Sequence, residues 1–325
     1  VQIVLTGSIA TDHLMTFRGS FTDVILPGSL DKLSVSVLVD DLVVRRGGVG
    51  ANIAFGMGVL GAKPVLVGAV GDDFADYRTW LVEHGVDVES ITESTVAHTA
   101  RFTCTTDAEQ RQIASFYPGA MGEAREISLA SVADRVGTID LVVMSPDDPD
   151  AMKRHVEEAR AMGIPFLADP SQQMSFMDGE SLRDLIDGAA YLVTNDYERD
   201  LLTSKTGWSV EEIASRVGVR ITTLGAEGIE IAPRGEAVVL VGPVTAREVV
   251  DPTGAGDAFR GGLLAGLSSG LALESAARLG ALLGTLALET TGTQEYVIDR
   301  ADALARLTHA YGQAAADELA PLLPA

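Results

Sequence analysis

The stretch Asp251-Pro252-Thr253-Gly254-Ala255-Gly256-Asp257-Ala258-Phe259-Arg260-Gly261-Gly262 narrows what this chain can be more than any other. Gly254, Ala255 and Gly256 have almost no side chain, so their backbone N–H groups can approach a ligand closely. An apolar run through Leu263, Leu264 and Leu267 continues from them as a helix. The first amides of a helix lack intrahelical acceptors, and the helix dipole adds positive potential there. Such a turn binds anions, phosphate above all. A carboxylate following at once is repelled by phosphate unless a proton or metal intervenes. Asp257 therefore reads as a base for a hydroxyl that attacks the phosphate. The plainer alternative is a turn that caps a helix with Asp257 in its first turn.

The bulk properties frame that site. With 325 residues, 46% hydrophobic and 22% charged, the chain has material for one large α/β domain with a small appendage. A net charge of −22 argues against nucleic acid and anionic membrane as partners, because phosphate backbones are repelled. Cys104 is the single cysteine, so an intrachain disulfide and a thiolate metal cluster are excluded. The opening Val1–Gly7 lacks the basic and long apolar segments of a signal peptide and reads as a first strand. Glu274 and Arg278 interrupt the apolar region Leu263–Leu288, which reads as two buried helices and not a membrane span. A soluble, cytoplasmic protein is the expectation.

Along the chain, a strand at Ile3–Leu5 is followed by Ser8 and, just past it, Asp12. Residues 14–44 read as strand and loop outside the main sheet, with Phe17, Phe21, Val24, Ile25 and Leu26 among Gly, Pro and Ser, then alternation over Leu33–Val39. Thr99–Thr105 and Gln112–Tyr117 form a hairpin by pattern. From residue 139, strands at Leu141–Met144, Pro165–Ala168, Tyr191–Thr194 and Arg220–Leu224 alternate with helices. That rhythm predicts a parallel sheet with helices on both faces and ligands beyond the strands' carboxyl ends. A hairpin over Gly228–Val241 precedes helices near 255–269, 272–289 and 300–317, with an Ala-rich tail after Gly312 expected to fray. Gly266-Leu267-Ser268-Ser269-Gly270 mimics a hydrolase elbow but has no strand before it, and no G-x-x-x-x-G-K occurs.

The DPTGAGDAF-x-GG stretch resembles the second signature of the ribokinase (phosphofructokinase-B) family of carbohydrate and nucleoside kinases. Gly47-Gly48-Val49-Gly50-Ala51-Asn52 resembles the first. The resemblance implies a ribokinase-like α/β fold: a central, mostly parallel sheet with helices on both faces, plus a small β lid. The large domain would take residues 1–13, 45–95 and 121–325, and the discontinuous lid 14–44 and 96–120. It makes Asp257 the catalytic base, with Gly254, Ala255 and Gly256 as the anion hole. Asn195-Asp196-Tyr197-Glu198 has the spacing that the family uses around Mg²⁺ and ATP phosphates, so Glu198 would hold Mg²⁺ through water. Asn195, Thr223, Gly225, Gly228 and Gly256 would carry ATP, and Asp251 and Thr253 a monovalent cation such as K⁺.

Which hydroxyl accepts depends on what covers it. Phe102 and Phe116 lie on the hairpin, where a purine would stack between them, and Gln172 and Gln173 offer amides to a base edge. The segments Thr6–Met15, Ala97–Asp107, Ala114–Met121 and Asp169–Gln173 are similar to those of the actinobacterial adenosine kinases within the family. That similarity implies adenosine bound by Ser8, Asp12, Gly48, Asn52, Phe102, Phe116, Gln172, Gln173 and Asp257, and 5′-phosphorylation to AMP in purine salvage. Ribose, fructose, inosine or guanosine on the same scaffold, or a non-catalytic nucleoside-binding protein, are the alternatives. A lid with exposed edges further predicts a lid-to-lid homodimer.

Overall fold

The structure is a computed structural model describing residues 1–25 and 27–325; Leu26, counted above in the appendage, lies outside the described residues. Its strands in chain order are β1 (Ile3–Thr6), β2 (Ala10–Thr16), β3 (Asp41–Gly47), β4 (Val65–Val70), β5 (Asp87–Glu93), β6 (Ala100–Thr106) and β7 (Gln112–Tyr117). β8 (Leu141–Met144), β9 (Phe166–Ala168), β10 (Tyr191–Asn195), β11 (Val219–Thr223), β12 (Ile229–Pro233) and β13 (Val239–Val241) follow. They form two sheets. The larger has the order β13-β12-β11-β10-β9-β8-β1-β4-β5, and the smaller β3-β2-β6-β7.

In the large sheet every pairing from β5 to β11 is parallel, and only β12 runs against the rest, pairing antiparallel with both β11 and β13. Parallel strands need helical crossovers, and these cover both faces. Alternation sorts the side chains: Ile3 and Leu5 enter one apolar layer, Val4 the other. The expected ribokinase-like fold class is what the chain adopts. At one end of the sheet lie the carboxyl termini of β1, β8, β9, β10 and β11, all on the same side because the strands are parallel.

Glycine contacts bring three helices close to that end. A Cβ on Gly261 would sit 2.8 Å from Gly56 Cα, so the Val49–Gly58 and Ala255–Ser268 helices nearly touch. The Leu273–Leu288 helix packs on the latter at Gly262 and Gly280, where a Cβ would again come within 2.8 Å of backbone. The apolar region read as paired buried helices is these last two.

Four expectations need correction. Leu33–Val39 is not a strand; the strand comes later, at Asp41–Gly47, and carries Arg45 and Arg46. Asp12 lies inside β2, so residues 10–13 and 45–47, assigned above to the large domain, stand in the small sheet with 14–16 and 41–44 of the expected lid. The edge strand β5 was not anticipated, since Asp87, Glu89 and Glu93 hide its pattern. The last long helix breaks at Gly312 (φ 85°), and the Gln313–Leu319 segment expected to fray is a helix with Ala315, Ala316 and Leu319 buried.

Candidate active site

A cleft of about 830 Å³ lies between the small sheet and the carboxyl ends of the large one. Its walls include Ser8, Asp12, Gly48, Asn52, Phe102, Phe116, Gln172, Gln173, Asp251, Thr253, Gly254 and Asp257. The acceptor-side residues singled out above thus share one cavity. The nucleotide-side set is outside it: Asn195 and Thr223 are register partners at the ends of β10 and β11, and Gly225 and Gly228 form the next turn.

The floor is the start of the Ala255–Ser268 helix. Gly254 caps it with φ 77°, and a Cβ there would strike the Thr293 side chain at 2.7 Å. Only glycine meets both demands. The first bond of the helix, Ala258 N–H to Gly254 O (2.9 Å), leaves the N–H groups of Gly256 and Asp257 in its unpaired first turn. Gly48 has a similar double constraint, with φ 91° and Ser8 O 2.5 Å from a Cβ position. The next N–H, of Val49, donates to Ser8 Oγ (3.0 Å).

Asp257 is half-buried and held from one side. Asn52 Nδ2 donates to its Oδ2 (2.8 Å), and Asn52 Oδ1 accepts from Thr293 Oγ1 and Gln294 Nε2, both at 2.9 Å. Asn52 was expected to serve a sugar with both donor and acceptor. Its acceptor is already occupied twice, so its main part is to fix Asp257. Burial pushes the Asp257 carboxyl up to about 6, with the Asn52 bond and Arg260 pulling down and Glu198 pushing further up. Such a value suits a base working near neutral pH.

The roof is one row of the small sheet. Register pairs Arg45 with Asp12, Asp12 with Phe102, and Phe102 with Phe116. Residues in register point to the same face, and all four line the cleft. The row runs from cation to carboxylate to two aromatic rings. Phe102 and Phe116 are direct cross-strand neighbours, so they form one shared apolar wall; the expected sandwich with a base between them does not fit this spacing. Burial, then the nearby Asp257, push Asp12 up to about 6, while Arg45 pulls it down. At the far wall Ser171, with φ 40°, turns the chain after β9 so that Gln172 and Gln173 face the cleft. Gln173 Nε2 is spent on Asp147 O, and Gln172 Oε1 accepts from Ser171 Oγ (3.0 Å).

Asn195 and Glu198 form a reciprocal capping box: Asn195 Oδ1 accepts from Glu198 N–H (2.7 Å), and Glu198 Oε2 from Asn195 N–H (2.8 Å). Glu198 Oε1 has only a long contact, 3.4 Å, to Ser171 Oγ. That free carboxylate oxygen, with Asp257 across the floor, fits a hard cation that keeps most of its waters. The Asp251 pair fits a cation poorly. Asp251 Oδ1 accepts from Thr253 N–H (2.9 Å) and Oδ2 from Gly292 N–H (3.2 Å).

Four residues bonded into the walls of the site escaped the sequence reasoning. Arg260, in the variable place of the glycine motif, is buried; Nη2 donates to Asp169 Oδ1 (2.6 Å) and lies 3.8 Å from Glu198 Oε2, and Nη1 donates to Gly256 O (3.0 Å). Burial opposes its charge, but Asp169, Glu198 and Asp257 outweigh that and hold it firmly protonated. The available signal was an arginine inside a run of small and apolar residues. Arg45, Thr293 and Gln294 carry no local motif at all.

The sequence pattern of the pfkB family carbohydrate kinases matches residues 13–300. The nucleoside kinase of Methanothermobacter thermautotrophicus is 30% identical over 270 residues, 82% of this chain and 86% of that protein. The nucleoside kinase of Burkholderia thailandensis in complex with inosine is 36% identical, with a TM-score of 0.82 over 95% of this chain and 99% of its own. The same enzyme in complex with ADP-inosine gives 38% identity and a TM-score of 0.79 over 95% and 96%. With both glycine signatures in order and the two-sheet architecture around them, this chain belongs to the pfkB family of carbohydrate kinases, the ribokinase-like enzymes.

Proposed function

We propose that this protein transfers the γ-phosphoryl group of ATP to the 5′-hydroxyl of a purine nucleoside, with adenosine as the leading acceptor. The observation that carries this reading is the Arg45–Asp12–Phe102–Phe116 row facing Asp257 across the cleft. A sugar fits under the carboxylate of Asp12 and a base against the two rings, which leaves the primary alcohol over Asp257. Asp257 takes the hydroxyl proton as the oxygen attacks in line, and the N–H groups of Gly256 and Asp257 receive the charge that builds on the phosphoryl oxygens. The phosphate donor lies on the Asn195, Thr223, Gly225 and Gly228 side. Glu198 would hold Mg²⁺ through water, and the ion would supply charge neutralisation for the phosphates.

Two amide side chains next to the rings suit a purine edge: Gln172 keeps its NH₂ and Gln173 its carbonyl oxygen. Adenine and hypoxanthine both offer a matching donor and acceptor. Adenosine follows from the end-to-end similarity to actinobacterial adenosine kinases, and inosine from the Burkholderia complex. ADP release measured with ATP and a panel of adenosine, inosine, guanosine, ribose and fructose tests the proposal. Adenosine should turn over fastest; turnover of ribose or fructose with every nucleoside inert overturns it.

The small sheet is read as a lid over this cleft, excluding water during transfer. Its outer face carries Leu42, Val44, Ile113 and Tyr117, each about half exposed. Pairing two such faces buries them, so a lid-to-lid homodimer is the expected state. Light scattering at micromolar concentration that gives a monomer mass counts against it.

A further inference from the structure

The resemblance and the residues disagree at the monovalent cation. A cation at Asp251 needs free oxygens, and both carboxylate oxygens there already accept backbone N–H groups. A carbonyl of the facing turn, Thr291 O, accepts from Arg45 Nη1 at 2.6 Å. The guanidinium lies so tightly on this turn that a Cβ on Gly292 would come within 2.5 Å of Nη1. A second cation beside a guanidinium is repelled.

The turn that Arg45 holds is wired to the reacting groups. Gly292 N–H bonds Asp251, Thr293 packs on Gly254, and Thr293 Oγ1 donates to Asn52 Oδ1, whose amide holds Asp257. The turn also follows the carboxyl end of the Leu273–Leu288 helix, and Leu288 O accepts from Val250 and Asp251 N–H. That end of a helix favours positive charge. Arg45 supplies it from β3, a strand of the small sheet.

We propose that the Arg45 guanidinium is this protein's built-in replacement for an activating monovalent cation, clamping the Thr291–Thr293 turn over the anion hole so that turnover needs no potassium. Arg45 is a positioning residue, and the inference rests on the kinase reading above. It belongs to this chain's own lysine- and arginine-poor sequence: 24 basic residues against 46 acidic ones make an arginine placed between two carboxylates, Asp12 and Asp251, a specific choice.

The test compares KCl, NaCl and choline chloride at equal ionic strength, reading kcat, KM and thermal midpoint. For the native chain all three salts should agree within about twofold in kcat, with one melting temperature. Arg45→Met should lower kcat about tenfold, with KM for nucleoside and ATP changing less. KCl, but not choline chloride, should restore part of that loss and raise the melting temperature of the variant, and Arg45→Lys should lie between. A several-fold potassium activation or potassium-specific stabilisation of the native chain overturns the proposal, as does an Arg45→Met variant that keeps full turnover. The melting comparison uses no substrate. A native chain that is salt-indifferent in melting yet phosphorylates no nucleoside therefore refutes the function and leaves Arg45's role standing.

Discussion

The cleft and the strand ends beside it are built on different terms. On the acceptor side, functional groups arrive from far apart in sequence: Asp12 from β2, Phe102 and Phe116 from β6 and β7, Asp257 from a helix start, and Asn52 from another helix. They meet across an open space, and several keep an unspent polar atom toward it. On the proposed nucleotide side, Asn195 and Thr223 sit on adjacent strand ends with Gly225 and Gly228 in the turn that follows, and the Asn195 side chain is spent on local structure, in the capping box with Glu198. Changes on the acceptor side should therefore act on chemistry and selectivity with little effect on stability. Changes on the nucleotide side should register first as lost stability.

The strongest way to break that contrast is Asp257→Asn. If Asp257 is the base, kcat falls roughly 10²–10⁴-fold with modest change in KM. The pH profile adds a signature. With Asp257 and Asp12 both at about 6, kcat/KM should climb as pH rises through 6 and then level. Stability should run the other way. Between about 4 and 6 the unfolded chain has lost these protons while the folded one keeps them, so each step up in pH costs stability until the folded value is passed. Asp257→Asn removes one share of that slope, so the inactive variant should melt higher than the native chain at pH 7. A variant that is inactive and also melts lower makes Asp257 a structural residue. A smaller effect separates the two rings. Phe102→Ala should raise nucleoside KM about tenfold, and Phe116→Ala less, since Phe116 is 49% exposed at the sheet edge. KM for ATP should not move in either; equal losses from both would mean that the pair does stack on two sides of a base.

How much of this was legible follows the same divide. The glycine-capped helix start was readable because such a turn demands small residues in one continuous run, and Gly254 and Gly48 cannot be anything else at φ 77° and 91°. The parallel sheet was readable from strands buried on both faces. Asp12's strand was not: Asp12 on the cleft face and Thr11 and His13 on the other break any apolar alternation. The charged clamp was also invisible. Arg45 and Thr291 are 246 residues apart and meet only because β3 pairs with β2 over the carboxyl end of β1. Arg260 and Asp169 meet in the same way, 91 residues apart, as strand β9 ends beneath a helix start. Local pattern encodes turns and periods; a cation matched to a distant carboxylate is encoded only in topology.

The mildest test goes to the nucleotide side, where one residue is asked to be both cap and metal ligand. Glu198→Gln keeps an oxygen at Oε1 or its equivalent for the Asn195 N–H, and glutamine serves in capping boxes as glutamate does. Asn195→Ala removes the reciprocal acceptor and should cost about 1 kcal/mol, a melting shift of about 2 °C for a chain this long. If Glu198 acts only as a cap, Glu198→Gln leaves melting and the Mg²⁺ requirement as they are. If it also holds a hydrated cation, melting stays within about 1 °C while the half-saturating Mg²⁺ concentration rises several-fold, because the amide lacks the charge that a hard divalent ion selects. We expect the second outcome. The neighbouring Arg260, 3.8 Å from Glu198 Oε2 and tied to Asp169 and Gly256, is a cation and offers a metal no ligand in place of the lost carboxylate. An unchanged Mg²⁺ titration would confine Glu198 to the helix end and shift the metal's contact to Asp257.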